Sequence, residues 1–457
     1  MNNPMLPSLA VKYNQPVPRY TSYPTVPVWQ TPFSSGEWLQ AAAQQFSQTN
    51  HTEGISLYIH LPFCESLCTY CGCNKKITTN HSVENVYLKA LAKEWKLYLD
   101  LLPGRPVIRE LHLGGGTPTF FSPAHLQELI EMLKAGADVH THAEMSIEGH
   151  PNNTTTEHLE TLYSLGFRRI SYGVQDNDPE VQRIINRIQP LENVERATSE
   201  ARRVGFESVN YDLVYGLPKQ VLSSLEKTVK EVIGLRPDRI AFYSYAHVPW
   251  TSRGQRLFDE HDLPSAEAKM ELYLRGRELL TEAGYADIGM DHYALPGDSL
   301  HTAWKNGTLH RNFMGYTTQH TSLLIGLGVS SISDAGFAFA QNEKALADYY
   351  KAVNSGNLAI FKGYSLSEED IQFRKYILQV CCTGKVKFED NFFEVLEANS
   401  FPELQKLEAD GLIHWNKEGL TITDQGRNFI RNIARCFDMH LLRSSGVPSS
   451  QLFSKAV

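Results

Sequence analysis

The segment Ile55-Ser-Leu-Tyr-Ile-His-Leu-Pro-Phe-Cys-Glu-Ser-Leu-Cys-Thr-Tyr-Cys71 decides how this chain is read. Its first half, Ile55 to Pro62, is dominated by β-branched, leucine and aromatic residues and is closed by a proline, which predicts a strand. Its second half puts Cys64, Cys68 and Cys71 on the loop that follows. Iron–sulfur clusters are held by cysteine thiolates. Three thiolates on one short loop can ligate three irons of a four-iron cube and leave the fourth open to a ligand that is not protein. The same logic separates catalytic zinc sites, which keep an open position, from closed structural ones. Zinc or a set of free thiols is the alternative, though three close cysteines have no evident fourth partner at zinc-finger spacing.

Outward from this strand a pattern repeats. Helical spacing of apolar residues over Ser82 to Leu102 precedes a second strand, Val107 to Leu113. Helices at Pro123 to Lys134, Thr156 to Leu165, Glu192 to Val204 and Leu225 to Leu235 then alternate with strands. Those strands are Glu144 to Ile147, Arg169 to Val174, Ser208 to Val214 and Arg239 to Ala246, and a long helix, Ala266 to Ala283, follows. Six strands alternating with helices predict parallel βαβ units and an α/β fold. A partial or full (β/α) barrel is expected, with a doubly wound open sheet as the second choice. In a barrel, sites form at the carboxyl ends of the strands. Gly114–Thr117, Glu148, Gln175, Asp212 and Ala246 all fall at or near those ends.

The flanks differ. Residues 1–50 show little periodicity, and Pro18-Arg-Tyr-Thr-Ser-Tyr-Pro24 suits an extended arm or a surface tail. Ser365 to Val380 and Glu389 to Asp410 read as helices, and Leu412–Trp415 with Leu420–Thr423 as a small hairpin. The expected organisation is an N-terminal arm over 1–50, a barrel over 51–364 and a mostly helical domain over 365–457.

Lys and Arg number 43 against 51 Asp and Glu, a formal net charge of −8 in 457 residues. That balance argues against a general nucleic-acid or membrane-surface binder, and an anionic substrate would need a local basic pocket. Met1 to Lys12 has no charged region followed by an apolar run, so no signal peptide is expected. Ser322 to Ala340 is broken by glycines, serines and Asp334 and is a poor membrane span. The cytoplasm is the expected compartment. Four of the seven cysteines lie between residues 64 and 73, which points to metal or redox chemistry and not to a disulfide framework.

A CxxxCxxC motif after a first barrel strand resembles the radical S-adenosylmethionine (SAM) superfamily. Several further motifs narrow the match. They are Tyr58-Ile-His-Leu-Pro-Phe-Cys64, Cys71-Gly-Cys-Asn74, Gly114-Gly-Gly-Thr-Pro118, Gly173-Val-Gln-Asp176 and Asp212-Leu-Val-Tyr-Gly-Leu-Pro218, together with Pro18–Pro24 and Leu309–Thr318. In order, from about residue 13 to about 440, these resemble the oxygen-independent coproporphyrinogen III oxidases. The resemblance implies one [4Fe–4S] cluster on Cys64, Cys68 and Cys71 and two molecules of SAM. It gives Tyr58, Gly115, Glu148 and Ile332 to the first SAM. It gives Tyr70, Gly116, Thr117, Gln175, Arg187, Asp212 and Ala246 to the second. Taken as residues alone, the glycine run is a tight turn or a place of close backbone approach, and the polar strand ends are solvated loops.

Cys73 lies outside the triplet. A small buried hydrophobe is its plain alternative; the family carries cysteine there, where the related haem chaperones usually have Phe. Cys381, Cys382 and Cys436 are expected to be structural. Tyr70 stands where the family often has Phe. Gly149-His150-Pro151 departs from a pattern in which an acidic residue precedes the proline, so His150 is either a surface residue or an adjustment of the SAM pocket.

The implied activity is that of a radical SAM oxidoreductase of haem (porphyrin) biosynthesis. The propionates on rings A and B of coproporphyrinogen III each lose a β-hydrogen, CO2 and one electron, giving the vinyl groups of protoporphyrinogen IX. A substrate with four carboxylates calls for basic side chains, with Arg19, His310 and Arg311 as candidates. The arm is expected to fold over the cavity. A reductant for the cluster, a monomeric state and no nucleic-acid partner complete the expectation. The rivals are a haem-binding chaperone and a haem-degrading methyltransferase of the same superfamily.

Overall fold

The computed structural model describes residues 6–444 and residue 453. Residues 1–5 of the expected arm, and most of 445–457 of the expected carboxyl-terminal domain, lie outside the described residues. Six strands follow one another as parallel neighbours in chain order: β1 (Ile55–Leu61), β2 (Val107–Gly115), β3 (Asp138–Gly149), β4 (Arg169–Gln175), β5 (Ser208–Tyr215) and β6 (Arg239–Ser244). Beyond β6 the sheet continues antiparallel through β8 (His292–Ala294) to β7 (Ala286–Gly289). On the other side, β9 (Leu324–Leu327) joins β1 in parallel, followed by antiparallel β10 (Ile332–Asp334), β11 (Ala338–Asn342) and β12 (Ile360–Ser365). The strand order runs β12-β11-β10-β9-β1 to β6-β8-β7. β12 and β7 end the sheet and do not pair with each other, so the barrel is partial. The unreversed order β1 to β6 lacks the switch point of a doubly wound sheet.

Period-two alternation explains why these strands form and what they enclose. Leu111, Leu113, Ile147, Ile170, Tyr172, Val209, Tyr211, Ile240 and Phe242 are buried in one continuous apolar core. The alternate positions Glu110, His112, Ser146, Ser171, Asn210 and Arg239 line a polar interior instead. Charges there are paired: Arg239 meets Asp298 at 2.7 Å, and Arg169 pairs with Glu144. A buried cation without such a partner is strongly destabilising.

Several strand ends differ from the sequence expectation by one or two residues, and two differences matter here. β3 begins at Asp138, six residues early. The prefix Asp138-Val-His-Thr-His is largely exposed and carries no apolar alternation to announce it, yet Asp138 and Val139 pair with Val107 and Ile108. β6 stops at Ser244, so Ala246 stands in the following loop.

Pro18–Pro24 forms neither helix nor strand, as its prolines require. Helices Leu6–Tyr13 and Ser35–Thr49 flank it, where the sequence suggested irregular chain. The second helix starts where the Gly36 amide donates to the Ser34 hydroxyl at 3.2 Å. Trp38, Ala42 and Phe46, four residues apart, sit in the main core, and the Trp38 indole donates to the Tyr98 hydroxyl at 3.0 Å. The intervening glutamines hid this stripe. Trp38→Ala is therefore expected to cost about 3–5 kcal/mol of unfolding free energy in a denaturant titration. A loss of only a few tenths would mean the helix merely rests on the barrel.

Tyr13, Tyr20 and Tyr23 enter a second core with Ile288, Tyr316, Phe373, Tyr376 and Phe437. Cys381, Cys382 and Cys436 are buried there. Helix Glu368–Cys382 and the hairpin Ile413–Asn416 with Gly419–Ile422 lie where expected, and Lys385–Lys387 adds a third strand. The expected helix Glu389–Asp410 is broken by a π turn at Leu396–Ser400 immediately before Pro402. Among the described residues no helix is long and apolar enough to cross a membrane.

Candidate active site

β1 delivers the chain to Pro62, and Phe63–Cys64 pairs in parallel with Lys76–Ile77, closing the cysteine loop at its base. Phe63 is buried against Tyr87, Phe120 and Phe121 and anchors that base. The rest of the loop is held from outside. The Thr69 amide donates to the Ile185 carbonyl at 2.9 Å, and the Asn186 amide group to the Leu67 carbonyl at 2.7 Å. The Ser252 hydroxyl donates to the Cys71 carbonyl at 3.1 Å, and Gln255 to the Tyr70 carbonyl at 2.8 Å. Clamped in this way, Cys64, Cys68 and Cys71 line one cavity of about 900 Å³ at the carboxyl ends of β2 to β6.

The three thiols share that cavity without closing on a single point; among the described residues no group of three His, Cys, Asp or Glu side chains does. A lone zinc ion needs such closure, whereas a cube offers its irons at separate corners. The donor set therefore fits a cluster better than a single ion. Two thiols receive side-chain hydrogen bonds: Thr117 Oγ1 donates to Cys64 Sγ at 3.3 Å, and Arg187 Nη1 to Cys68 Sγ at 3.6 Å. Cys73 is exposed and lines the same cavity, so it is not a buried packing residue.

The glycines after β2 are there for close approach. Gly115 has φ +119°, and a Cβ on it would lie 2.9 Å from the His60 ring. A Cβ on Gly116 would lie 2.6 Å from the Pro62 carbonyl oxygen, because the Gly116 and Thr117 amides continue the ladder onto Leu61 and Phe63. The Gly115 amide donates to Glu148 Oε2 at 3.2 Å, fixing a carboxylate at the cavity wall. Tyr58 lies just behind, stacked on His112 with ring centroids 6.0 Å apart and its hydroxyl 3.0 Å from His60 Nδ1. It borders Glu148 without forming the cavity wall. Ile332 packs with Trp29 and Phe339 in a separate apolar cluster and is not on the wall either.

Across the cavity stand Tyr70, Gln175, Arg187, Asp212 and Ala246. Gln175 ends β4 at φ +68°, beside an irregularity between Gly173 and Gln175 that turns its side chain inward. Arg187 Nη2 donates to the Gly173 carbonyl at 2.5 Å, while its Nε is buried without a partner. Asp212 accepts from Ser171 at 3.2 Å and from Asn210 at 2.9 Å. Burial, then the Glu148 charge, pushes its carboxyl up to about 7 against those bonds and Arg187. His150 is on the cavity wall and is not a surface residue. Its Nδ1 accepts the Asn152 amide at 3.2 Å, and burial, then Arg187, pushes the imidazole down to about 3.

Of the basic candidates, Arg19 lines the cavity, donating to the Ser244 carbonyl at 2.5 Å with its guanidinium 5.6 Å over the Tyr243 ring. Arg311 is buried behind it, 4.8 Å over Tyr316, with Nη2 on the Arg19 carbonyl at 3.4 Å and Nε and Nη1 without partners. His310 is off the wall, its ring 4.6 Å from that of His320. Sequence reasoning missed Tyr243 and Gln255 on the wall. Alternation with Arg239 and Ala241 on β6 would have pointed Tyr243 inward; nothing local marks Gln255.

Residues 58–232 match the family model described as the Radical SAM superfamily. An Escherichia coli (strain K12) protein named oxygen-independent coproporphyrinogen III oxidase is 40% identical over 456 residues, spanning 98% of each chain. This chain belongs to the oxygen-independent coproporphyrinogen III oxidases. A Pseudomonas aeruginosa oxygen-independent coproporphyrinogen III oxidase is 40% identical over 438 residues, 94% of this chain and 95% of that one. The solved coproporphyrinogen III oxidase (HemN) of Escherichia coli, described as a radical SAM enzyme, matches with a TM-score of 0.89 at 39% identity. The match covers 95% of this chain and 98% of that one. The α/β partial barrel expected from the sequence is thus the fold of an oxygen-independent coproporphyrinogen III oxidase.

Proposed function

We propose that the chain converts the ring A and B propionates of coproporphyrinogen III to vinyl groups without oxygen, giving protoporphyrinogen IX in haem biosynthesis. The observation that carries this is the convergence of three thiols with Glu148, Gln175, Arg187 and Asp212 on one cavity of about 900 Å³ in a member of this family. Cys64, Cys68 and Cys71 would hold the [4Fe–4S] cluster. When bound, the cluster and its SAM supply a carbon-centred radical able to take a hydrogen atom from a propionate β-carbon. Each propionate, having lost that hydrogen atom, would release CO2 and pass one electron to an external one-electron acceptor, leaving the vinyl group.

The chain's own work is binding, orientation and exclusion of water. Glu148, fixed by the Gly115 amide, offers a carboxylate to the first SAM, with Tyr58 and Ile332 behind it. Gln175, Arg187, Asp212 and Tyr70, with Gly116, Thr117 and Ala246, offer a polar wall to the second. Arg19 offers a guanidinium to a substrate carboxylate, and Arg311 supports it from behind. Arg19 and Thr21 of the arm close one side of the cavity, and Val248 and Gln255 another. The proposal includes a cytoplasmic monomer, an external reductant, an arm over 1–50, a barrel over 51–364 and a helical domain over 365–457.

The test is anaerobic incubation of reconstituted protein with coproporphyrinogen III, SAM and a chemical reductant, with products separated by chromatography. Vinyl products lacking CO2 are expected. Haem binding without turnover would favour the chaperone, and an opened macrocycle the methyltransferase.

A pH dependence follows from Asp212. Its carboxyl is neutral below about 7 and ionised above, and only the ionised form attracts a sulfonium. Affinity of the second SAM is expected to tighten as pH rises through that value, and Asp212→Asn to abolish the dependence. Glu148, Arg187 and Tyr243 also face Asp212, so Glu148→Gln, which removes a like charge, should move the transition to lower pH. A pH-independent affinity in the unsubstituted protein would detach Asp212 from the second SAM.

A further inference from the structure

Thr117 and Arg187 each touch a cysteine sulfur. Thr117 is fixed by its own amide, which donates to the Phe63 carbonyl at 3.0 Å, and its hydroxyl reaches Cys64 Sγ at 3.3 Å. Arg187 is fixed by Nη2 on the Gly173 carbonyl at 2.5 Å, and Nη1 reaches Cys68 Sγ at 3.6 Å. The third thiol, on Cys71, has a different surrounding: Cys73 of its own loop lies against its sulfur, and Lys75 Nζ donates to its carbonyl at 3.0 Å. Two of the three cysteine sulfurs therefore carry oriented donors from outside the cysteine loop, one of them attached to a permanent positive charge.

We propose that Thr117 and Arg187 raise the reduction potential of the cluster through these hydrogen bonds to Cys64 and Cys68. The inference rests on the cluster reading of the three thiols. A reduced cluster bears one more negative charge than an oxidised one. Donors to the ligating sulfurs, and a nearby cation shielded from water, stabilise the reduced form more than the oxidised form. Hydrogen bonds to charged acceptors are about twice as strong as neutral ones. Both residues thus act through the cysteine sulfurs as positioning residues, separately from any contact with SAM. Arg187 has donor capacity for both roles, since its buried Nε is still without a partner.

The test uses anaerobically reconstituted holoprotein without SAM or substrate, so that SAM contacts cannot contribute. The one-electron reduction is followed by EPR in a potentiometric titration with dithionite, and iron is measured on each sample. Thr117→Val keeps the shape and removes the donor; Thr117→Ser keeps the donor. Arg187→Met removes charge and fork; Arg187→Lys keeps the charge. Thr117→Val and Arg187→Met are each expected to shift the potential to more negative values by about tenfold in the reduction equilibrium, about 59 mV for one electron. Thr117→Ser should match the unsubstituted protein, and Arg187→Lys should fall between. Unmoved potentials in Thr117→Val and Arg187→Met, with full iron, would overturn the proposal. Should Arg187→Met lose iron, Arg187→Lys is read in its place, and an unmoved potential there removes Arg187. An unsubstituted protein that takes up no cluster would overturn the proposed function itself, an outcome distinct from a loaded cluster whose potential does not move.

Discussion

Alanine at Cys64, Cys68 or Cys71 is expected to abolish the cluster and all turnover. Each thiol lines the cavity, and among the described residues no group of three His, Cys, Asp or Glu side chains is gathered there to take the place of a lost one. The loop keeps its shape without them. Phe63 anchors its base, and Thr69, Asn186, Ser252 and Gln255 hold its backbone by bonds that involve no sulfur. The loss is therefore one of ligation and not of folding. Unsubstituted protein purified without oxygen should carry about four irons and four sulfides, the content of one such cluster, and each variant close to none, with the visible absorbance gone. Cys73→Ala should keep the iron. Full iron in any one of the three variants would remove that cysteine from the ligand set, and loss of iron in Cys73→Ala would add a fourth.

Arg187→Ala should lose about two orders of magnitude in conversion of coproporphyrinogen III, the scale of a misplaced reacting group, while keeping its iron. Its guanidinium links the end of β4, through the Gly173 carbonyl, to the cysteine loop, through Cys68. No other cation near β4 occupies that place, and lysine cannot reproduce the fork. Asp212 lies across the same cavity and is influenced by Arg187. If the two hold one molecule of SAM, Arg187→Ala with Asp212→Ala should lose little more than Arg187→Ala alone, because residues working as a unit are non-additive. Product chromatography and iron content on the same samples provide the check. Unchanged turnover would leave the second SAM without its proposed holder, and losses that multiply would assign the two residues to separate events.

The strands were legible because the barrel has a polar inside. Asn210 and Asp212 alternate with Val209, Tyr211 and Leu213, so each strand announces its period. Where alternation fails, as in Asp138 to His142, the sequence falls silent. The cysteine loop was legible for a different reason: its three ligand positions are local, within eight residues. The relations across the cavity are not local. Nothing in the chain near residue 19 or 311 says that Arg311 stands behind Arg19, since the two are 292 residues apart and meet through a backbone carbonyl. Likewise Tyr58 and Ile332 share the side of β1 that leads to β10, and only the assembled sheet shows that they lie behind the wall. The helix Ser35–Thr49 went unread because its apolar stripe, Trp38, Ala42 and Phe46, is narrow and set among glutamines.

The arm's partners are distant in another sense. The Tyr20 hydroxyl donates to Asp438, the Met439 amide donates to the Tyr23 hydroxyl, and Asn432 donates to the Tyr13 carbonyl. A ribosome makes Tyr20 more than four hundred residues before it makes Asp438. Chains fold in the order of their synthesis at about 5–20 residues per second, so the cysteine loop is made tens of seconds before the residues that fasten these three tyrosines. Arg19 can meet the Ser244 carbonyl and Arg311 once those residues are made, but Tyr20 and Tyr23 beside it gain their last partners only at the end. The molecule's chronology leaves that side of the cavity without its final fastening until the chain is nearly finished.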